Sequence, residues 1–138
     1  MKPVEQTRFG LDGNCFAACL ASILETPIES IPDPFDERLG DARQWRAKWD
    51  AWRAWLAPRN LTLLEYDDQG SHPKGYAIMG VISHRVHPHE PSKKLLHAVV
   101  ALDGACVWDP HPGRGGGFGR TIDWTVFTVL DPTQPVIP

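Results

Sequence analysis

Long hydrophobic runs are missing from this chain of 138 residues. No stretch approaches the roughly 18 to 20 consecutive apolar residues that a membrane-crossing helix needs. Met1 to Gly10 has neither the basic start nor the apolar stretch of a secretory signal. The expected location is therefore the cytoplasm, with no membrane partner. An excess of positive charge is missing as well. Lys and Arg total 14 against 17 Asp and Glu, a formal charge of −3, which argues against a surface built to neutralise phosphates, so nucleic acid is not expected as the main partner. Cysteine is scarce: the three residues Cys15, Cys19 and Cys106 lack paired CxxC spacing. Neither a full disulfide framework nor a zinc ribbon fits, no metal or other cofactor is implied, and at least one thiol is expected to be free. With 42% hydrophobic and 22% charged residues, the length suits one compact domain over 1–138 with a single core.

What is present divides into a helical front and a strand-rich back. Phe16, Cys19, Leu20, Ile23 and Leu24 recur at helical spacing after the turn-forming run Leu11-Asp12-Gly13-Asn14, which predicts a helix over Cys15 to Leu24 with Cys15 at or near its N-terminus. Pro27, Pro32 and Pro34 then impose a turn-rich stretch. From Asp36 the apolar residues Leu39, Ala42, Trp45, Trp49, Trp52 and Leu56 again keep helical intervals, with Trp55 widening the stripe. Such a stripe can be a stacking surface, but at helical spacing it reads first as core, because burying these rings supplies much of a small domain's stability.

After Asn60 the texture becomes that of strands: Leu61 to Tyr66, Tyr76 to Ile82, Leu95 to Leu102, Ala105 to Trp108 and Trp124 to Leu130. One mostly antiparallel sheet is expected, giving an α+β fold. Asp103-Gly104 is a strong hairpin signal between the third and fourth runs. His84 to Lys94 and His111 to Arg120 read as loops, the latter rich in glycine, and Asp131 to Pro138 as an extended proline-rich tail.

Chemistry enters with Cys15. Unpaired amides and aligned peptide dipoles at a helix start favour a thiolate, which makes Cys15 the best nucleophile candidate. Cys19, one turn further in, and Cys106, in the hairpin strand, read as packing residues. His97 interrupts an aliphatic strand, where an imidazole must find partners to offset its desolvation. Asp109 ends the partner strand. The two meet on one face if a three-residue loop, Leu102 to Gly104, or an equivalent bulge closes the hairpin; a regular two-residue turn would put them on opposite faces. A thiol, an imidazole and an orienting carboxylate are the parts of an acyl-transfer site. The oxyanion would be served by the Cys15 amide and by a side-chain amide from Gln6 or Asn14.

The block Gly13-Asn14-Cys15-Phe16-Ala17-Ala18-Cys19-Leu20-Ala21-Ser22-Ile23-Leu24, then His97-Ala98-Val99-Val100-Ala101-Leu102-Asp103-Gly104 and Val107-Trp108-Asp109-Pro110, resembles the papain-like cysteine peptidase superfamily. It is most similar there to the small bacteriocin-processing peptidase-like group and its stand-alone relatives in bacteria and phages. The resemblance spans about residues 6 to 112. It implies a papain-like fold with the nucleophile helix packed on an antiparallel sheet, and a thiol hydrolase acting on a peptide, isopeptide or amide bond of a protein or peptide substrate. Cys15 would be the nucleophile, His97 the general base and acid, Asp109 the orienting residue and Gln6 the oxyanion glutamine. The family's usual Asp-Cys-Gly stands here as Asn14-Cys15-Phe16, and Gln6 precedes Cys15 by more than the usual spacing. A reading from another class keeps the scaffold as a non-catalytic module whose loops recognise a host or phage protein.

Two further signals compete. His84, His87 and His89 match no well-defined metal spacing and read as a solvent-exposed or gating loop. The glycine loop lacks the lysine-serine ending of a phosphate-binding loop; it is either a connector or a flap beside Asp109. His111 is a rival base if His97 points away.

Overall fold

The computed structural model describes residues 1–86, 89–114 and 117–137; His87, Gly115, Gly116 and Pro138, which figure in the sequence reading, lie outside the described residues. Two helices, α1 (Cys15–Leu24) and α2 (Asp41–Leu56), precede five strands: β1 (Leu61–Asp67), β2 (Tyr76–Val86), β3 (Lys94–Leu102), β4 (Ala105–Trp108) and β5 (Phe118–Val129). The strands form one sheet in the order β1-β5-β2-β3-β4, with every neighbouring pair antiparallel. The architecture is α+β, as expected. No helix among the described residues is long and apolar enough to cross a membrane.

Strand alternation assigns the two faces. Ile78, Ala98, Val100 and Leu63 share a core with Phe16, Ala17, Cys19, Leu20 and Ala21 of α1 and with Trp52 and Leu56 of α2. Ala77, Met79, Val81, Val99, Ala101 and Trp124 form a second cluster on the opposite face. Small residues let α1 lie close on the sheet: Ala17, Ala18, Cys19 and Ala21 are at most 1% exposed. The buried hydroxyl of Ser22 is satisfied, donating to the Ala18 carbonyl at 2.8 Å and accepting the Val4 amide at 2.9 Å.

Helix α2 begins at Asp41, five residues later than the periodicity from Asp36 predicts. Gly40 is extended, and Asp36 is drawn into a turn by Arg38 while both ends of the Gln44 amide clasp the Asp36 backbone. The tryptophan stripe is core only in part: Trp52 is 1% exposed and donates its indole N–H to the Pro32 carbonyl at 2.6 Å, whereas Trp45 is 40% exposed. Lys48 on the same helix is buried and reaches Asp33 at 2.6 Å; Asp33 is also paired with Arg8. A buried lysine needs such a partner, and the result ties the N-terminal segment and the proline stretch to α2.

Strands β2 and β5 are longer than their apolar runs. His84 and Arg85, expected in a loop, continue β2, and Phe118, Gly119 and Arg120, expected in the glycine loop, open β5. Both gain ladder partners where the pattern carries no alternation, with Ser83 opposite Phe118 and Val86 opposite Lys94. The tail is stapled down by Asn60, whose side-chain amide donates to the Asp131 and Gln134 carbonyls at 2.8 and 3.0 Å.

Candidate active site

Helix α1 starts at Cys15, as expected, with Asn14 before it. Asn14 does not cap its own helix. Its Oδ1 accepts the amides of Thr7 and Arg8, each at 2.9 Å, and its Nδ2 donates to Thr7 Oγ1 at 2.8 Å. The residue is therefore a clasp that lays the N-terminal segment across the helix start, and its amide is engaged there. Phe16 fixes the same turn from the other side, stacking on Trp52 at 4.5 Å and meeting Trp45 edge-on at 5.2 Å. Pairs of this kind are worth about 0.5–1.5 kcal/mol each beyond area burial. The bulky residue after Cys15 thus serves as an anchor to α2.

The hairpin geometry brings His97 and Asp109 together by the second of the two routes the sequence allows. Asp103 and Gly104, both with positive φ (50° and 85°), make a two-residue turn that sets Leu102 opposite Ala105. A bulge then shifts the register, so that Val100 faces Trp108. The extra residue turns Asp109 to the face of Val99 and His97. His97 Nε2 lies 2.7 Å from Asp109 Oδ1, with the imidazole 5% exposed. The same carboxylate oxygen accepts the His111 amide at 2.9 Å, so the group that orients the imidazole is itself oriented.

Because a carboxylate oxygen accepts, the shared proton belongs on Nε2, leaving the Nδ1 lone pair of a neutral His97 to take one. Burial lowers the His97 pKa from its ordinary value; Asp109 opposes that shift, and Arg85 and His111 add to it. His111 places its Nδ1 under the Gly113 amide at 2.9 Å and packs edge-on against Phe9 at 5.3 Å. Its ring nitrogen is thus occupied, which disfavours it as the rival base.

Cys15 departs from one expectation. Its thiol is raised above the ordinary range, because desolvation outweighs the amides of Ala98, Phe16 and Cys15 and the charge of Arg85, all of which favour the thiolate. The Ala98 amide places the sulfur one residue along β3 from the imidazole. Among the described residues no hydrogen bond joins Cys15 to His97, whose bond runs to Asp109. Cys19 is fully buried, as expected, but Cys106 is exposed on the edge strand β4 rather than packed.

Gln6 is 6% exposed and anchored beside the carboxylate: its backbone amide donates to the Pro110 carbonyl at 3.0 Å and its Nε2 to the Arg8 carbonyl at 2.9 Å. Among the described residues its Oε1 is buried without a partner. Arg85 is the residue that sequence reasoning missed. Its charge reaches Cys15, His97 and His111, yet it lies in a polar run with no motif, and only its pairing into β2 points it out. Compared with known proteins, the chain matches no family model, no curated protein and no solved structure.

Proposed function

We propose that the chain is a papain-like thiol hydrolase that cleaves a peptide, isopeptide or amide bond through an acyl-enzyme on Cys15. The observation that carries this reading is the buried His97–Asp109 hydrogen bond of 2.7 Å, built by a bulge and set one residue from the amide that faces the Cys15 sulfur. A thiol raised by burial and an imidazole lowered by burial are both neutral near pH 7, so the nucleophile is generated by general-base transfer rather than held as a standing ion pair. His97 Nδ1 takes the thiol proton as Sγ bonds to the carbonyl carbon. The oxyanion of the tetrahedral intermediate is met by the Cys15 amide and by Gln6 Nε2. Collapse expels the amine, which leaves with the proton from His97, and a thioester remains. Water then loses a proton to His97, attacks the thioester carbon and releases a carboxylic acid, and the proton returns to sulfur.

Cys106 is exposed, so the test uses a Cys106→Ser background. A small peptide acyl electrophile is expected to modify Cys15, with the rate falling at least about 100-fold in His97→Ala. An unchanged rate overturns the reading. A non-catalytic binding module on the same scaffold is favoured by one feature, the engagement of the Asn14 and Gln6 amides in local hydrogen bonds; an unreactive Cys15 would support it.

A further inference from the structure

The ends of β2, β3 and β5 enclose a cleft of about 750 Å³, lined by Ile82, Ser83, Arg85, Lys93, Lys94 and Arg120 among others. Val81 lies opposite His97 and Ile82 opposite Leu96, so the cleft opens one residue beyond the imidazole. Its described lining holds four Lys and Arg side chains and no carboxylate, in a chain whose overall charge is −3. Lys93 is taken up by Asp41 at 3.1 Å. Arg85, Lys94 and Arg120 form no ion pair among the described residues and are exposed. Three unneutralised cations around one concavity raise the local concentration of an anionic partner and orient its approach.

We propose that this cleft docks an acidic polypeptide segment of the substrate, flanking the bond presented to Cys15. The assignment of that segment as substrate rests on the thiol-hydrolase reading; the binding itself does not. A peptide suits the site better than a nucleic acid, because the cations stand at the end of a sheet in a chain with an acidic balance and do not form a stripe that could track a phosphate backbone.

The test uses the full chain as a Cys15→Ala variant, which binds without turnover, and fluorescein-labelled octaglutamate followed by anisotropy. Octaglutamate is expected to bind at least about ten-fold more tightly than octaserine. That affinity should fall at least about ten-fold in Lys94→Glu/Arg120→Glu and on raising salt from about 50 to about 500 mM. Lys94→Gln/Arg120→Gln should weaken it in the same direction, and circular dichroism checks that both double variants are folded. Lys74→Glu, which changes the charge by as much as Lys94→Gln/Arg120→Gln does but at an exposed site outside the cleft, should leave binding within about two-fold. In the chain with Cys15 intact, saturating octaglutamate should slow acylation of that residue. Equal binding of octaserine, an equal loss in Lys74→Glu, or tighter binding of octathymidylate than of octaglutamate overturns the proposal. Failure of Cys15 to react while octaglutamate still binds overturns the hydrolase reading, and with it the assignment of the ligand as substrate. Normal labelling without octaglutamate binding overturns the cleft alone.

Discussion

Asp109 and Asp123 sit on the same sheet and are treated in opposite ways. Asp109, just past the edge strand β4, has one oxygen filled by two donors, the His97 ring at 2.7 Å and the His111 amide at 2.9 Å. Asp123, on β5, lies directly opposite Asp67 of β1, with Glu65 two residues along the same strand. Its carboxyl occupies the space above Gly80, where a Cβ would collide with Oδ1. Burial and Asp67 raise the Asp123 pKa, and burial, Asp123 and Asp67 raise that of Glu65. One carboxylate is held by hydrogen-bond donors. The others are held by the sheet register against their mutual repulsion, so proximity alone does not distinguish a positioning residue; the donors around it do.

The largest expected effect separates the two directly. Asp109→Asn should slow acylation of Cys15 by about 10²- to 10⁴-fold, because the imidazole loses the acceptor that fixes its tautomer. Asp123→Asn should leave the rate within about two-fold, since among the described residues Asp123 is not one of the groups that act on Cys15 or His97. A comparable loss in both, measured as the second-order rate of modification by the same acyl electrophile, would dissolve the comparison.

A pH profile sharpens it. In the proposed mechanism acylation needs a neutral His97, so the rate should fall as pH drops through the His97 pKa, and burial sets that value below the ordinary 6.5. The acid limb should therefore lie below pH 6.5. Asp109 works against burial, so Asp109→Asn should move the limb to still lower pH while reducing the plateau. An acid limb that stays in place in the variant would show that the two groups are not coupled.

The sequence made the site's order readable more readily than its electrostatics. The helix start at Cys15, the Asp103-Gly104 turn and the shared face of His97 and Asp109 follow from local rules, namely periodicity, turn chemistry and the parity of a pleated strand. The bulge that satisfies the parity was one of two routes that local rules allow; tertiary packing of Trp108 against the helix-facing core selects it. The rest depends on neighbours distant in the chain. Ladder partners turn His84-Arg85 and Phe118-Gly119-Arg120 into strand. Asn14, whose type fits a helix cap, is drawn off by the Thr7 and Arg8 amides. The raised Cys15 thiol reflects desolvation by the surrounding fold, which no helix-start rule contains.

The smallest effect tests the other half of the comparison. With its pKa raised, Asp123 binds a proton more tightly folded than unfolded, so stability falls as pH rises from the ordinary 3.8 through the raised value. At pH 7 the ionised carboxyl opposes Asp67 in a half-buried setting. Asp123→Asn removes the charge at nearly constant shape and keeps the carboxyl-sized group above Gly80. A like-charge cross-strand pair costs a few tenths of a kcal/mol to about 1 kcal/mol, and partial exposure places this one near the lower end. Chemical denaturation at pH 7 should show Asp123→Asn more stable by about 0.5 kcal/mol, a gain that vanishes as pH falls below the ordinary 3.8, where Asp123 is protonated. A gain that persists at low pH would mean that packing over Gly80, and not charge, is what the aspartate strains.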